Sequence, residues 1–319
     1  MKHNISVIIL SYNNFETTTG PCLESLFMDT DNESFEIIAV DNSSQDSTPE
    51  MLKKYSSERA NIRLILNKKN RGFPGGNNDG VKEAKGDIVI LLNSDTVVPR
   101  GVIKKLGLHM ENNPDWGMLG PITNAAGNEQ KIYISEENVE KAIVEGEKFC
   151  AHARNDCFQS ERLDFFCVAI RRDIYNDLGG LDEHFGLGYY EDLDFSHRAR
   201  QAGIKMMVAE DCFIFHSAGN TFSDIGRKNV KKLMHENKKK LKKKYSGKVE
   251  FLHLRNMNIN RMKSYIEMKQ GLPHECFPGI DYRFNNRMTL AKGIYPHSYL
   301  KKVLYYMQLR NLSTEYSDI

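Results

Sequence analysis

No pair of the six cysteines forms a C-x-x-C motif, and the spacings of Cys22, Cys150, Cys157, Cys167, Cys212 and Cys276 match no zinc pattern. A chain of 319 residues has enough core-forming potential to dispense with disulfide staples. The expectation is free, mostly buried thiols in a reducing cytosol. No apolar run approaches the length needed to span a bilayer, and Met1-Lys2-His3-Asn4 runs into a short strand rather than a signal peptide. The protein is therefore expected to be soluble or peripheral. There is no internal repeat and no long low-complexity segment. Net charge is only +2, with 40% hydrophobic and 27% charged residues, so the average composition names no partner.

What is present is alternation. Residues 5–10, 35–40, 62–66 and 88–92 are short β-branched apolar runs, each followed by polar residues and then a helical segment. Ser47, with Glu50 three residues on, has the form of a capping box for the second helix. Four β-α repeats in a row imply an α/β fold with a parallel sheet and helices on both faces. Ligands of such sheets bind outside the carboxyl ends of the strands. The fourth run, Ile88–Leu92, is apolar enough to be covered on both faces and stops on Asn93-Ser94-Asp95. Asp95 then points a hard oxygen into the crevice, suited to holding a divalent cation against a diphosphate. A plain turn or cap is the alternative for an Asp in this place. Pro99 is placed to open the next helix.

The segment Arg71-Gly72-Phe73-Pro74-Gly75-Gly76-Asn77 lacks the G-x-G-x-x-G of a dinucleotide site and the G-K-[ST] of a P-loop. Gly75 and Gly76 ahead of a helix would bring bare backbone N–H groups near an anion, with Arg71 adding charge; a flexible turn is the alternative. Further strands are expected at 116–120, 163–170 and 204–209, and helices at 100–112, 136–147 and 172–178. A glycine-bearing loop at 185–190 enters a helix whose first turn holds Glu191, Asp192 and Asp194. Capping explains one such acid, not three. Glu191 and Asp192 diverge by about 100° on a helix and can serve different partners. His216 ends an apolar run, where a hydrogen-bonded structural role is the ordinary one.

Residues 227–248 carry Arg227 and ten lysines against one acid, Glu236, with Val230, Leu233, Met234, Leu241 and Tyr245 at helical spacing. This basic amphipathic helix is either a solvated face or a contact for an anionic membrane or phosphate-bearing acceptor. Nucleic acid is disfavoured, because no aromatic stacking platform or recognition motif accompanies the charge. A last helix is expected at 298–310.

Six pieces in order resemble family 2 glycosyltransferases of the GT-A fold: Ser6–Asn13, Val40–Ser44, Asn70–Asn77, Leu91–Asp95, Gly180–Glu183 and Tyr190–Asp194. The narrower likeness is to rhamnosyltransferase-type enzymes that build bacterial surface polysaccharide. The resemblance implies a nucleotide-sugar-binding catalytic domain over 1–222 and a basic, mainly helical extension over 223–319. It implies that Asp41 hydrogen-bonds the nucleobase, in a pocket formed around Ser11, Tyr12, Asn13 and Asn42. Arg71, Gly72, Gly75, Gly76 and Asn77 would line the nucleotide and phosphate path, with Asn93 and Ser94 beside the diphosphate. Asp95 matches the last acid of the D-x-D motif and would bind Mg²⁺ or Mn²⁺; His216 matches a position that contacts metal or diphosphate in some relatives. Asp192 matches the catalytic base, with Glu191 binding donor or acceptor hydroxyls. Asn93 departs from the family by replacing the first D-x-D acid, which removes one negative charge from the metal site.

The implied reaction is inverting transfer from a nucleotide-diphosphate sugar, UDP- or dTDP-linked, to a hydroxyl of a glycan, lipid-linked or protein acceptor. The implied place is the cytoplasm, peripheral to the inner face of the cell membrane. Two rivals remain at this point. One is a sugar-nucleotide nucleotidyltransferase, disfavoured because Ser11-Tyr12-Asn13-Asn14 stands where such enzymes carry a glycine- and arginine-rich loop. The other is a non-catalytic sugar-nucleotide or glycan-binding module.

Overall fold

The computed structural model describes residues 4–28, 35–153, 155–218 and 226–319. Its first four strands, β1 (Ile5–Ser11), β2 (Phe35–Asp41), β3 (Ile62–Leu66) and β4 (Ile88–Asn93), are parallel, as the β-α alternation requires. Residues of β1, β2 and β4 are buried almost throughout, which fits a sheet covered on both faces. Thr96–Val97 form a short strand β5 outside this sheet. Beyond β4 the sheet is mixed. It continues with β6 (Trp116–Ile122), the short edge strand β7 (Cys157–Gln159), β8 (Cys167–Arg171) and β9 (Lys205–Phe213). Strand β8 runs antiparallel to both β4 and β6, and β9 is parallel to β6. The eight strands are ordered β3-β2-β1-β4-β8-β6-β9-β7. Strand β7 is too short to leave a periodic mark in the sequence, and no strand is expected there; it pairs antiparallel with β9.

Helices α1 (Thr19–Phe27), α2 (Thr48–Glu58), α3 (Gly72–Glu83) and α4 (Val102–Asn112) connect the parallel half. The capping box at Ser47 does not form: the Ser47 side chain makes no cap bond, and Asp46 Oδ1 accepts from the Thr48 N–H instead. Pro99 does not open a helix either. Strand β5 precedes it and pairs with β10 (Phe215–His216), and α4 starts at Val102 behind Gly101. That ribbon brings His216 opposite Thr96, one residue from Asp95.

The glycine segment is not a loop before a helix. Helix α3 begins at Gly72, so Gly75 and Gly76 are already helical. Their small size serves packing: a Cβ on Gly75 would lie 2.9 Å from Arg71, and one on Gly76 2.2 Å from Leu10. The expected strand at 163–170 begins only at Cys167. Leu163, Phe165 and Phe166 are buried in the preceding loop, so their apolar character reflects burial rather than strand pairing.

Helices α5 (Val139–Ala151), α6 (Arg172–Asp177) and α7 (Glu191–Gln201) complete the sheet's cover. The basic segment forms α8 (Arg227–Lys244). Three helices follow, α9 (Leu254–Gly271), α10 (Phe277–Gly293) and α11 (Tyr299–Ser317), with a core of their own that includes Met262, Tyr265, Phe284 and Leu309. The expected boundary at 222/223 lies outside the described residues. All six cysteines are free thiols; Cys22, Cys167 and Cys212 are buried.

Candidate active site

Two cavities meet at the carboxyl ends of β1, β2 and β4. The first, about 300 Å³, is lined by Tyr12, Asn42, Asn70, Phe73, Asp95 and Leu187 among others. The second, about 370 Å³, is lined by Arg162, Asp164, Glu191, Asp192 and Met234. Phe73, Asn93, Tyr189 and His216 belong to both walls, so the two form one continuous cleft. Asp95 and Asp192, nearly a hundred residues apart in sequence, face it from its two halves.

The first half is built by strand-end loops that tie one another down. Asn13 donates its N–H to Ser44 Oγ, and its Oδ1 accepts from the Gln45 N–H, both at 2.8 Å. The Ser11 hydroxyl is buried against Thr19 at 2.6 Å. Asn42 donates to Asn70 Oδ1 and to the Gly72 carbonyl, and accepts from the Arg71 N–H. Asp41 uses Oδ2 to accept from the Ser43 and Ser44 N–H groups, while its Oδ1 is buried with no hydrogen-bond partner among the described residues. That oxygen is a free acceptor of the kind an imide N–H would satisfy.

Two expected phosphate-path residues are engaged elsewhere. The Arg71 guanidinium is clamped by Glu183 at 2.8 Å and Asp79 at 3.2 Å. The Asn77 amide donates to the Phe73 carbonyl inside α3. In this structure both help hold the shape of the cleft. Gly72 serves the backbone itself. Its φ is +67°, and a Cβ there would lie 1.9 Å from the Gly186 carbonyl. Only glycine lets the 185–190 loop close against the start of α3.

At the junction, Asp95 is buried, and apart from His216 its Oδ1 has no hydrogen-bond partner among the described residues. His216 Nε2 lies 3.3 Å from that oxygen. The ring is held on its other side, with Nδ1 at 3.0 Å from the Ala125 carbonyl and its face stacked on Phe166. If Nδ1 donates to that carbonyl, the neutral ring turns the Nε2 lone pair toward a carboxylate. Two facing lone pairs need a proton or a cation between them. Burial would lower the pKa of His216, but its bond to Asp95 and that carboxylate's charge reverse the sign and raise it. Asn93 Oδ1 is a further buried oxygen without a hydrogen-bond partner among the described residues. One carboxylate, one imidazole and one amide oxygen suit a hard divalent cation that keeps other ligands from a diphosphate. The residues present therefore fit Mg²⁺ or Mn²⁺, with Asn93 supplying a dipole where the family's motif supplies a charge.

A separate triad, His109, Cys157 and Asp211, lies within metal-ligating range on a different cavity. It is already satisfied. Lys105 Nζ sits 2.7 Å from Asp211 and His109 Nε2 3.0 Å from it, so a cation is supplied by the chain itself.

In the second half, the 185–190 loop arrives through left-handed residues: Gly186, Gly188, Tyr189 and Tyr190 all have positive φ. Two successive tyrosines in that region are strained and need surroundings that fix them. Asn237 of α8 supplies them. It is fully buried, and its amide donates to the carbonyls of Phe185, Gly188 and Tyr189 at 2.7, 2.8 and 3.1 Å. The loop delivers Glu191 and Asp192 at the first turn of α7. Asp194 turns away to Arg198, Lys244 and Tyr245, so it is structural. Glu191 is buried with Oε2 unpartnered among the described residues, and burial together with the Asp192 charge pushes its carboxyl well up. Asp192 is pushed up to about 7, first by burial and then by the Asp164 charge, while Leu193 N–H and Arg162 oppose the shift.

Sequence reasoning misses Asp164, Arg162, Tyr189 and Asn237. Asp164 falls within an expected strand, and Asn237 sits unmarked in a lysine run. One consequence is measurable. Asp164→Asn removes a negative charge that raises the Asp192 pKa, so that pKa should fall. A deprotonated Asp192 would then persist to lower pH, and the acid limb of any rate that depends on that carboxylate should move down. An unmoved limb would show that Asp164 does not tune Asp192.

An α/β sheet with a crevice beyond its strand ends and carboxylates in both of its halves defines a ligand-binding α/β class. The chain belongs to glycosyl transferase family 2, whose model matches residues 6–179. A glycosyltransferase of Haloferax volcanii, AglE, is 26% identical over 229 residues, 67% of each chain. The poly(ribitol-phosphate) beta-glucosyltransferase of Bacillus spizizenii is 34% identical over 114 residues, which is 35% of this chain and 18% of that one. Among solved structures, a Pyrobaculum calidifontis mannosyltransferase in complex with GDP-Man and Mn²⁺ aligns over 98% of this chain and 84% of that one, with TM-score 0.51 and 13% identity. GalNAc-T7 with UDP, GalNAc and Mn²⁺ aligns over 67% of this chain and 43% of that one, with TM-score 0.55 and 17% identity. The fold is the GT-A fold expected from the motifs.

Proposed function

We propose that the protein transfers a hexosyl or deoxyhexosyl group from a UDP- or dTDP-linked sugar to a hydroxyl of a glycan or lipid-linked acceptor, with inversion at the anomeric carbon. The supporting observation is the continuous cleft with Asp95 in the wall of one half and Asp192 in the wall of the other. In this reading the nucleotide occupies the first half, where Asp41 Oδ1 accepts from the base. Asp95 and His216 would hold a divalent cation, and Asn93 Oδ1 would face it or a water on it. When bound, that cation neutralises charge developing on the departing diphosphate. Tyr189 and Phe73 wall the sugar between the halves. Asp192 removes the proton from the acceptor hydroxyl; a pKa near 7 suits a base working at neutral pH. Glu191, whose carboxyl is pushed up by burial and by the Asp192 charge, would hydrogen-bond a sugar hydroxyl.

The proposed organisation is a catalytic part over 1–222 and a basic helical part over 223–319. The second part carries contacts to the first: α8 fixes the catalytic loop through Asn237, and its outer face offers lysines to an anionic membrane or a phosphate-bearing acceptor. The proposed location is the cytoplasmic face of the cell membrane.

A thermal-shift panel of nucleotide-sugars with Mn²⁺ or Mg²⁺ tests the donor, because a true ligand stabilises with the logarithm of its excess. Asp95→Ala carries the sharper test. Calorimetry of UDP binding with and without Mn²⁺ should show metal-dependent affinity in the wild type and a loss of at least ~10-fold of it in the variant. Equal nucleotide affinity with and without Mn²⁺ in the wild type would remove the metal from the reading.

A further inference from the structure

We propose that α11 lies on the surface of an anionic lipid bilayer, through the face formed by Tyr299, Leu300, Val303, Leu304 and Met307. The inference deepens the proposed membrane-side location and is independent of the transfer chemistry.

Helix α11 is apolar on two sides. One side, Tyr305, Leu309, Leu312 and Tyr316, is buried against α9 and α10. The other is turned outward: Tyr299 is 83% exposed, Leu300 67%, Leu304 56% and Met307 57%. These positions recur at i, i+1, i+5 and i+8, so they form one stripe along two turns of helix. Scattered apolar residues on a surface are ordinary, but a contiguous stripe signals a partner. Among the described residues no helix is long and apolar enough to cross a membrane. The stripe therefore suits a helix lying in the interface plane.

Charge selects the partner. Between Asp281 and Glu315 the sequence holds no acid, while it holds Arg283, Arg287, Lys292, Lys301, Lys302 and Arg310. Arg283 and Arg287 are consumed by Glu210. Lys292, Lys301 and Arg310 are exposed, and Lys302 lies over the Tyr295 ring at 3.7 Å. Leucine, methionine and tyrosine beside lysines match the depth profile of a lipid interface, with apolar atoms inward and cations at the headgroups. A two-fold contact between copies would instead set these cations against one another, with no acid in the stretch to offset them. Helix α8 does not offer the same device. Leu241 is buried, Val230 and Leu233 are half-buried, and Met234 lines the catalytic cleft, so its outer face is charge alone.

The test is co-sedimentation of the full chain with phosphatidylglycerol–phosphatidylcholine vesicles and with phosphatidylcholine vesicles. The wild type should bind the anionic vesicles, and bind neutral ones much less. The triple variant L300S/L304S/M307S should lose anionic-vesicle binding by at least ~10-fold with an unchanged melting temperature, since all three side chains are exposed. The α8 variant K238E/K239E/K242E should weaken binding less and in a salt-dependent way. Vesicle binding by the triple variant equal to wild type would overturn the proposal. So would a wild-type dimer in analytical ultracentrifugation that the triple variant abolishes, without any vesicle binding. Nucleotide-sugar binding is read separately in lipid-free solution. Its failure would remove the transfer reading and leave the vesicle result intact.

Discussion

Asp192→Asn is expected to lower sugar transfer by ~10²–10⁴-fold, the usual contribution of a positioned general base, while nucleotide affinity is retained. The reason lies in the two halves of the cleft. Asp192 lines the acceptor side, and no nucleotide-side residue hydrogen-bonds to it among the described residues. Its Oδ1 accepts from the Leu193 N–H at 2.8 Å, which an asparagine oxygen reproduces, so α7 keeps its first turn. The substitution also removes a negative charge that pushes Glu191 up. Stability at neutral pH should therefore hold or rise slightly, and loss of turnover cannot be blamed on unfolding. The measurement is single-turnover transfer, with calorimetric titration of the nucleotide alongside. Turnover within ~10-fold of wild type would take the base role from Asp192. In the wild type, transfer should fall as pH drops below about 7, because the raised carboxyl then holds its proton.

How much of this is legible in the sequence differs between the two halves of the chain. The parallel strands can be read because each is a short apolar run stopped by polar residues, and a doubly covered strand needs that composition. Their tips name Asp41, Asn93 and Asp95 for the same reason. The acids after the 185–190 loop are legible as an excess over capping needs. What cannot be read is conformation without a compositional mark. Tyr189 and Tyr190 are left-handed although no glycine announces it. Phe165 and Phe166 look like strand residues because they are apolar, but they wall the cleft instead. Arg71 looks like a phosphate ligand because its neighbours are glycines, and only the fold shows Glu183 and Asp79 reaching it. Helices α9 and α10 hide for the opposite reason. Their tyrosines and arginines carry no clear helical pattern in the sequence, because Arg261, Arg283 and Arg287 are buried, with one acid on a distant strand neutralising them.

That acid, Glu210 on β9, supports the second large prediction: Glu210→Gln should cost about 3–5 kcal/mol of stability. Glu210 is fully buried and accepts from Arg261 at 2.6 Å, Arg287 at 2.9 Å, Arg283 at 3.0 Å and the Tyr265 hydroxyl. Arg283 also pairs with Asp156, and Arg287 also donates to the carbonyls of Glu129 and Lys131. Glutamine keeps the shape but replaces one acceptor oxygen with an N–H donor that faces arginine donors, and it removes the charge. Buried guanidiniums would then be left without their counter-charge, which is far more costly than the pair is favourable. An exposed pair such as Arg63–Glu83 should matter by less than ~1 kcal/mol when broken. The pH dependence has a definite sign. Burial alone would raise the Glu210 pKa, but Arg261, Arg287 and Arg283 hold it well below its ordinary value of 4.5. Its contribution is thus fully present above about pH 4.5 and is lost as pH falls toward the depressed value. The wild-type advantage over Glu210→Gln in urea unfolding should accordingly shrink in acid. Because α9 and α10 carry the arginines, hydrogen exchange over 254–293 should rise first in the variant, ahead of the parallel strands. Equal unfolding midpoints for the two proteins at pH 7 would show that the clasp fixes geometry without stabilising it.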